Sequence, residues 1–555
     1  MADKLHPIIK LAGREFADGK LDRREFLRIA TLLGVAAPVA FGMAGLPLPA
    51  IAQGTPKMGG IIRLGARVHD LKSPHTLSWV EAANAVRQVL DYLTYTGVDN
   101  VTRPSLVEKW EASPDLKSWT LRLRRDVTWR KQNRRFTADD VVWNFRRVLD
   151  AKTGSSVLGL FKGFILDEFE TGEKDDKGNA KKSTRLWDAN AIQKIDDFTI
   201  KLNGKAANMS IPESLFHYPF LIMDPAENGE FKAGSNGTGA FEMVELDVGK
   251  RARFAARKTG HWGGGAYIDT FEIIDLGDDA AAQLSALVSK QVDMVYQGSV
   301  VSYPTIARMP NLQINSVDTA YTAVARVHSI KPFDDKRVRQ ALRWATDPDA
   351  VLKAAYRGLG KPGEHHHVST AHPEYVNVGV MKQDIVKAKA LLAAAGYPNG
   401  IDTEIVCRPQ PDWELLAVQT MVEQWKEAGI RVKINVMPSA QYWNEWTKVP
   451  FGFTTWAHRP LGTMVLSLAY RTGAAWNESN WSNAEFDKTI TEAEGYVDID
   501  KRRAVMAKLE RIMLDEGPIV VPLWRSVFNY SDKKIKGYKI HPSIYIEAKE
   551  MWLDA

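Results

Sequence analysis

The sequence predicts an α/β or α+β fold that is divided over more than one domain. Its clearest signal is a strand–helix–strand unit with short connections over residues 401–436, which predicts parallel strands. Apolar residues alternate over 401–407 and 430–436, and a helix is predicted from about Trp413 to Ala428. A length of 555 residues is suited to two or three domains.

Helices and strands also alternate in the N-terminal half. Apolar residues at helical spacing predict a helix over 78–95, and strict alternation predicts a half-buried strand over 118–129. Thr137 is predicted to begin a helix, because Asp140 three residues later completes a capping box. Residues 168–183 are polar and contain glycine, so we expect an exposed insertion there.

Capping residues mark the predicted helices of the C-terminal half. The dipeptide Asp347-Pro348 begins the second of two helices over 333–360, and Gly396 ends a later helix. Ser482 and Glu485 have the spacing of a capping box, so a helix is predicted to begin at Ser482.

The N-terminus has the pattern of an export signal. Arg23 and Arg24 precede an apolar run from Ile29 to Ala44, shorter than the roughly 20 residues of a membrane span. Ala50-Ile51-Ala52 then matches the small-x-small pattern of a cleavage site. We predict a signal peptide of the twin-arginine type over residues 1–52. The alternative is an amphipathic helix that lies on a membrane.

The composition is that of an ordinary globular protein. Charged residues make up 25% and hydrophobic residues 45% of the chain. The net charge of +6 is small for this length and spread along the chain, so it gives no reason to expect nucleic-acid binding. Cys407 is the single cysteine, which excludes an internal disulfide.

Motifs for catalysis or cofactor binding are missing or stand in the wrong context. Residues 358–363 match G-x-G-x-x-G by letter, but a predicted helix precedes them, whereas a dinucleotide site needs a strand there. The tract His365-His366-His367 could bind a metal, but a solvent-facing loop is favoured because adjacent side chains rarely point at one centre. We therefore expect no catalytic residues, no metal and no cofactor.

Tryptophan is abundant, with 17 residues in the chain. A large flat ring with one N–H donor is suited to a core or to the wall of a ligand site, and the core is favoured for any single residue. An exported chain of several domains, rich in tryptophan and without a catalytic set, is typical of a binding protein whose site lies between domains. Five tryptophans fall in one short region: Trp443, Trp446, Trp456, Trp476 and Trp481.

Several blocks of the sequence, in order along the chain, resemble the family-5 extracellular solute-binding proteins, the receptors of dipeptide, oligopeptide and nickel ABC importers. Two departures are "RKQNRR" in place of a short Asp-Gly turn before Phe136, and Ala240 where proline is common. The similarity covers nearly the whole mature chain. The blocks are "PSLVEKWEASPDLKSWTLRLRRDVTW" followed by "FTADDVVWNFRRV", "GTGAFEMVE", "KPFDDKRVRQALRWATDPDAVL", "AKALLAAAGYPNG" and "SNAEFDKTI".

The resemblance implies an α/β fold of the two-lobed periplasmic-binding-protein type (type II, the large form with three subdomains), with the ligand cleft between the lobes. Lobe I would comprise residues 54–317 and 522–555, with an inserted subdomain at about 96–200, and lobe II would comprise residues 318–521. The chain crossings near Thr319–Thr322 and Pro518–Pro522 would act as hinges.

The resemblance also gives an expectation for the ligand. Peptide-binding members present a carboxylate from a Trp-x-x-Asp motif to the peptide's α-ammonium. In the matching stretch "TTWAHRPLGT", Trp456 fits the motif, but Arg459 occupies the place of the aspartate. Because like charges repel in a dry cleft, we expect a carboxylated sugar–amino-acid conjugate, a blocked peptide or a glycan. Arg459 would meet an anionic group, turn away from the cleft, or pair with a core carboxylate. The predicted ligand-binding residues are Trp79, Trp456, His458, Arg459 and Trp481.

The implied function is that of a periplasmic substrate-binding protein, a monomer that captures a peptide-like or acidic solute by hinge closure. Its partners would be an ABC permease and its ATPase in the inner membrane. Two alternatives stay open: a nickel-type receptor for a metal chelate with the same fold, and an exported hydrolase or redox enzyme. No cysteine lies near the predicted cleavage site, so the exported protein is expected to carry no lipid.

Overall fold

A computed structural model of the chain describes residues 7–35, 37–45, 55–174, 180–258, 261–277 and 279–554. The predicted cleavage site at residues 50–52 lies outside these ranges. The helices are α1 Pro7–Ala17, α2 Arg23–Leu32, α3 Ala37–Met43, α4 Val80–Val86, α5 Ala138–Leu149, α6 Val157–Ile165, α7 Ile211–Ser214, α8 Ala280–Val288, α9 Tyr303–Ile306, α10 Lys336–Trp344, α11 Pro348–Tyr356, α12 Ile385–Ala394, α13 Asp412–Glu427, α14 Ser439–Glu445, α15 Gly462–Ala469, α16 Ala484–Gly495 and α17 Ile499–Glu516. The strands are β1 Ile61–Gly65, β2 Thr94–Thr96, β3 Thr102–Pro104, β4 Val107–Ala112, β5 Ser118–Leu123, β6 Leu166–Lys174, β7 Ala180–Leu186, β8 Ile192–Asp196, β9 Thr199–Asn203, β10 Phe241–Asp247, β11 Arg251–Ala256, β12 Thr270–Ile274, β13 Met294–Val295, β14 Leu312–Val327, β15 Gly360–Pro362, β16 Ile401–Cys407, β17 Ile430–Val436, β18 Phe451–Trp456, β19 Ile519–Val520, β20 Leu523–Asp532, β21 Ile535–Lys536 and β22 Trp552–Leu553.

A mixed sheet of 12 strands joins the two ends of the molecule in the order β10-β11-β12-β1-β13-β20-β14-β18-β16-β17, with β15 on β20 and β19 on β14. The long strand β14 belongs to both halves of this sheet. Its first part pairs with β20, and its last part, from Thr322, pairs with β18. The pairing with β20 is irregular between Val317 and Tyr321, and β19 and β20 are separated at residues 521–522. The chain therefore passes between the two halves of the sheet at two neighbouring places, within β14 and between β19 and β20.

The parallel unit that the alternation predicts is confirmed. β16 pairs in parallel with β17 from Ile401 opposite Ile430 to Cys407 opposite Val436, and α13 connects the two strands. The predicted capping box of α5 is also present. Periodicity and capping thus located these elements correctly, because local sequence and tertiary burial agree there.

Two local predictions differ from the structure, and a third segment is exposed as predicted but more regular than expected. α4 ends at Val86, because the following backbone carbonyls bond to other segments, for example Val89 O to the N–H of Gly239 at 2.8 Å. α16 is capped by Asn483 rather than Ser482, since Asn483 accepts a hydrogen bond from Phe486 N at 2.9 Å. The expected insertion over 168–183 contributes to an antiparallel hairpin of β6 and β7, whose tip at 175–179 lies outside the described residues.

The prediction that His365-His366-His367 forms a solvent-facing loop is wrong. All three side chains are buried, and the hydroxyl of Tyr470 lies 3.0 Å from Nδ1 of His367. Burial lowers the pKa of His365 and of His367 to about 3, so both rings are neutral at physiological pH. Within the described part of the chain, no group of three or more His, Cys, Asp or Glu side chains is arranged to hold a metal ion.

The N-terminal helices pack onto the rest of the protein. α2 buries Phe26, Ile29 and Leu32, and the indole of Trp110 donates a hydrogen bond to the carbonyl of Leu32 at 2.5 Å. Residues that the sequence assigns to an export signal therefore contribute to the core of the full chain. Across the described ranges, no helix combines the length and apolar character that crossing a membrane requires.

Candidate functional site

A cavity that offers about 160 Å³ to the centres of water-sized molecules, and is partly open to solvent, lies where the two halves of the large sheet meet. Its lining comes from the residues that follow the carboxyl ends of β1, β13, β16 and β18, together with Trp79 and Tyr218. The carboxyl ends of strands at such a junction are the usual position of ligand sites in α/β proteins.

Tryptophans form one continuous wall of this cavity. Trp79 meets Trp443 edge to face at 5.7 Å between ring centroids, and Trp443 meets Trp446 at 5.9 Å. Trp446 also contacts Trp456 and Trp476, at 6.3 and 6.1 Å. All five rings line the cavity, so they offer a ligand a broad apolar surface that is shaped by T-shaped packing.

A buried ion pair fixes the orientation of Trp456. Its indole Nε1 donates to Glu478 Oε1 at 2.7 Å, and the other oxygen of Glu478 accepts from Nε of Arg326 at 2.7 Å. Arg326 and Glu478 are almost fully buried, and the guanidinium also donates to the carbonyls of Trp446 and Val449. The tryptophan wall is therefore supported from behind by a fully paired charge.

Arg459 lines the same cavity but, unlike Arg326, it is not paired with a carboxylate of the described residues. It is 4% exposed, and no carboxylate of the described residues lies within 4.0 Å of its guanidinium. Nη1 donates to two backbone carbonyls, at 3.3 and 3.2 Å, and the guanidinium carbon lies 5.2 Å from the ring centroid of Tyr218. Nε is buried and has no hydrogen-bond partner among the residues that the structure describes. The guanidinium of Arg459 therefore gives the cavity wall a buried cation with spare donors.

Arg408 is a second arginine of the cavity, and it has a partner. It follows β16, and its guanidinium bonds both oxygens of Glu414 and the hydroxyl of Thr455. Glu414 is fully buried, and burial raises its pKa, while Arg408 opposes that shift. The charge of Arg408 is thus largely balanced within the protein.

The acidic groups of the cavity also have partners of their own. Glu81 accepts a hydrogen bond from Arg67 N at 3.0 Å and lies 3.1 Å from Nε2 of His69. Asp412, at the start of α13, accepts a hydrogen bond from the hydroxyl of Ser299, which follows β13. This last bond joins the two halves of the sheet directly beside the cavity.

Comparison with known proteins identifies the family. Residues 102–476 match the model of the bacterial extracellular solute-binding proteins, family 5. The chain belongs to this family. Its members bind solutes and are not enzymes.

Curated relatives of this solute-binding protein include the dipeptide-binding protein of Escherichia coli K12, 27% identical over 79% of this chain and 84% of that protein. Heme-binding protein A of Haemophilus influenzae is 26% identical over 80% of this chain and 82% of that protein. Among solved structures, the PBP AgaA of A. tumefaciens R10 with agropinic acid has a TM-score of 0.78 at 19% identity, covering 89% of this chain and 99% of that chain. This structural likeness supports the assignment of the mixed α/β fold to this family.

The structure brings three of the five residues that we predicted for the solute site into the cavity. Trp79, Trp456 and Arg459 line it. His458 and Trp481 are buried and do not line this cavity. The ring nitrogens of His458 face Asn100 Oδ1 and Ala320 N, both at 3.1 Å, and Trp481 packs against Phe486 with 5.2 Å between ring centroids.

Sequence reasoning missed several cavity residues of this solute-binding protein. The position of Arg408 and Asp412 directly after a parallel strand is a signal that could have found them. Gln297 follows β13, which has only two residues and therefore no readable alternation, and Tyr321 lies within β14, so the sequence carries no such signal for either.

Proposed function

We propose that this chain is the receptor of an ABC importer and that it closes around its solute by hinge bending at the two crossings of the large sheet. Lobe I would be residues 54–317 with 522–555, and lobe II residues 318–521. The argument for closure is that the tryptophan wall and the Ser299–Asp412 hydrogen bond join residues of both lobes at the cavity. A closed form of this kind would be the species that a permease recognises.

We propose further that the solute carries an anionic group that meets Arg459. The observation that carries this proposal is the burial of Arg459 in the cavity wall without a carboxylate partner among the described residues. Leaving a buried guanidinium without an anion costs free energy, and a carboxylate of the solute would supply the missing charge with charge-assisted hydrogen bonds. Trp456 and Trp79 would contact the apolar or ring portion of the same solute.

The relatives are consistent with small solutes that contain a carboxylate. The curated relatives include dipeptide-binding proteins, and two of the similar structures are described as complexes with agropinic acid and mannopinic acid. Arg459 favours the acidic conjugates over ordinary dipeptides, because a cation in this position repels an α-ammonium group.

A binding panel tests this proposal. Wild-type protein, stripped of co-purifying solutes by unfolding and refolding, would be titrated calorimetrically with mannopinic acid, agropinic acid, the dipeptide Met-Leu and Ni(L-His)2. We expect at least one acid to bind with a micromolar or lower dissociation constant and Met-Leu to bind at least 100-fold more weakly. Strong binding of Met-Leu would contradict the role of Arg459, and preference for Ni(L-His)2 would favour the metal-chelate alternative.

A charge-reversal variant sharpens the same test. In Arg459→Asp the cavity gains a carboxylate in the position that a peptide ammonium would need, so affinity for the acids should fall and affinity for Met-Leu should rise. Arg431→Asp is a control, because Arg431 is half-exposed on β17 and away from the cavity. Equal losses in both variants would indicate a general charge effect rather than a contact with Arg459.

We propose that residues 1–52 act as a twin-arginine export signal that directs the protein to the periplasm. The support is the sequence pattern around Arg23 and Arg24 together with membership in a family of extracellular proteins. Replacing both arginines by lysine should leave the protein in the cytoplasmic fraction, and unchanged export of that variant would contradict the proposal.

A further inference from the structure

A further buried arginine, Arg525, lies behind the cavity wall. Arg525 lies on β20, is 2% exposed, and has no carboxylate within 4.0 Å among the described residues. Its guanidinium carbon lies 4.0 Å from the ring centroid of Tyr321 and 5.1 Å from that of Trp413, and Nη1 donates to the hydroxyl of Tyr356 at 3.1 Å. Packing on several sides holds the guanidinium in one position.

Arg525 determines how the side-chain amide of Gln297 is oriented. Nη2 of Arg525 donates to Oε1 of Gln297 at 2.6 Å. A guanidinium has donors and no acceptor, so the amide oxygen must face Arg525 and the NH2 group must point the other way. Gln297 lines the cavity, and no described residue accepts a hydrogen bond from its Nε2. The two N–H donors of this amide are therefore available to a solute.

The backbone beside Gln297 is also held in place. Tyr296 N donates to Gly65 O at 2.9 Å, and Gly298 N donates to Phe528 O at 2.8 Å. A Cβ atom on Gly298 would lie 2.6 Å from the ring of Phe528, so only glycine allows the backbone to come this close to that ring. The amide of Gln297 is thus fixed at both its backbone and its oxygen, which is the condition for selective hydrogen bonding.

We infer that Gln297 determines specificity by donating a hydrogen bond to an acceptor oxygen of the bound solute, and that Arg525 is the residue that positions it. This inference rests on the proposed function. The acceptor would be a carboxylate, carbonyl or hydroxyl oxygen, whereas an ammonium group would leave both the amide donors and its own protons without partners. Gln297 and Arg459 would then contact acceptor groups of one solute from the two lobes.

The near-isosteric variant Gln297→Glu tests the donor. The new carboxylate can bond to Arg525 as the amide oxygen does, but it presents acceptors to the cavity instead of donors. We expect the dissociation constant of mannopinic acid or agropinic acid, whichever the wild type binds, to rise at least tenfold without a loss of thermal stability. Gln297→Met, which removes the donor and adds no charge, should raise the same constant severalfold.

The matched control is Gln313→Glu. The amide of Gln313 donates to Ser531 at 3.1 Å on the neighbouring strand, away from the cavity, so binding should stay within twofold of the wild type. Arg525 is tested by a double-mutant cycle. Arg525→Met should weaken binding severalfold, by no more than Gln297→Met does, when Gln297 is present and little in the Gln297→Met background, whereas a purely structural role would weaken binding equally in both.

The outcomes separate this inference from the proposed function. A wild-type protein that binds neither acid nor Met-Leu contradicts the proposed function and the inference with it. A wild-type protein that binds an acid, with an unchanged dissociation constant in Gln297→Glu, overturns the inference and leaves the proposed function standing. Equal effects of Arg525→Met in both backgrounds overturn the positioning role of Arg525.

Discussion

Arg326 and Arg459 are both buried arginines near the same tryptophan wall, yet their surroundings differ in one respect. Arg326 lies against Glu478, with 2.7 Å between Nε and Oε2, and its remaining donors bond to backbone carbonyls. Arg459 has two long hydrogen bonds to carbonyls, the ring of Tyr218 and a buried Nε without a partner. The first arrangement is complete within the protein, and the second becomes complete when an anion enters the cavity.

Arg343 is a buried arginine whose terminal nitrogens bond to backbone carbonyls rather than to a carboxylate, although its Nε, like that of Arg459, is buried without a partner among the described residues. Its Nη1 donates to Gly517 O at 2.8 Å, and Nη2 lies 3.4 Å from Asp515 O, at the carboxyl end of α17. The negative end of a helix dipole partly replaces an anion there. The carbonyls that Arg459 bonds, of Ala457 and His458, follow the end of β18 and are not at the carboxyl end of a helix, so these contacts bring no comparable compensation from a helix dipole.

The largest expected effect comes from breaking the paired charge. Arg326→Met leaves Glu478 buried without its cation, which should lower the free energy of unfolding by about 3–5 kcal/mol. Urea denaturation measures this change. The control is Arg431→Met, which removes the exposed partner of Asp402 and should cost at most about 1 kcal/mol. If Arg326→Met were as mild as the control, the pair would not stabilise the wall.

The strand–helix–strand unit around α13 could be predicted from the sequence because alternation and capping are local. Arg459 could be singled out because it departs from a motif. The contact between Arg525 and Gln297 could not, since it joins residues 228 positions apart. Burial of the histidine tract was also unpredictable, because histidines have no preferred depth and distant residues such as Tyr470 and Trp524 decide it. Asn483 and Ser482 are equally good N-cap residues, so the sequence could not decide between these two positions for the start of α16.

Glu510 extends the comparison to a buried acid without a cation. Its two oxygens are buried and make no well-formed hydrogen bond among the described residues, and burial together with Glu364 and Glu374 raises its pKa to about 9, against the opposite effects of the Val376 backbone and of Arg511. The folded protein then holds a proton that the unfolded chain releases above its ordinary pKa of 4.5, so stability falls as pH rises between these values. The group alone should cost up to about 2.7 kcal/mol between pH 6 and 8.

Chemical denaturation at a series of pH values checks this expectation. Glu510→Gln should remove most of the slope between pH 6 and 8, because an amide needs no proton to stay neutral. Glu485→Gln, which alters an exposed carboxylate of α16, is the control and should leave the slope as it is. A Glu510→Gln protein with the wild-type slope would contradict a protonated Glu510.

A smaller effect is expected where the N-terminal helix α2 meets the body of the protein. Glu25 accepts two hydrogen bonds from Arg28 and one from Arg502 at 2.6 Å, and these cations lower its pKa to about 2 against the effect of burial. In the full chain, Glu25→Gln should weaken the docking of α2 by about 2 kcal/mol, since hydrogen bonds to charged groups are lost.

Hydrogen exchange of residues 25–33 measures the docking of α2. We expect faster exchange in Glu25→Gln than in the wild type, with the sheet strands unaffected. Glu15→Gln on α1 is the control, because burial, with Asp498 and Asp500, raises the pKa of Glu15 and no cation holds it as Arg28 and Arg502 hold Glu25. Unchanged exchange in Glu25→Gln would show that apolar packing alone holds α2 in place.

The smallest effect should have the opposite sign, which makes it the most direct test of the comparison. Arg459→Met removes a buried cation that no carboxylate balances, so the solute-free protein should keep its free energy of unfolding or gain about 1 kcal/mol. The measurement needs protein refolded without solute, because a bound solute stabilises the wild type by mass action. The free energy of unfolding would then rise or stay the same while the affinity for the acids falls. This combination is expected of a residue that contributes to binding and not to stability. A loss comparable to that of Arg326→Met would mean that Arg459 is balanced within the protein after all, and that the anion it meets belongs to the chain.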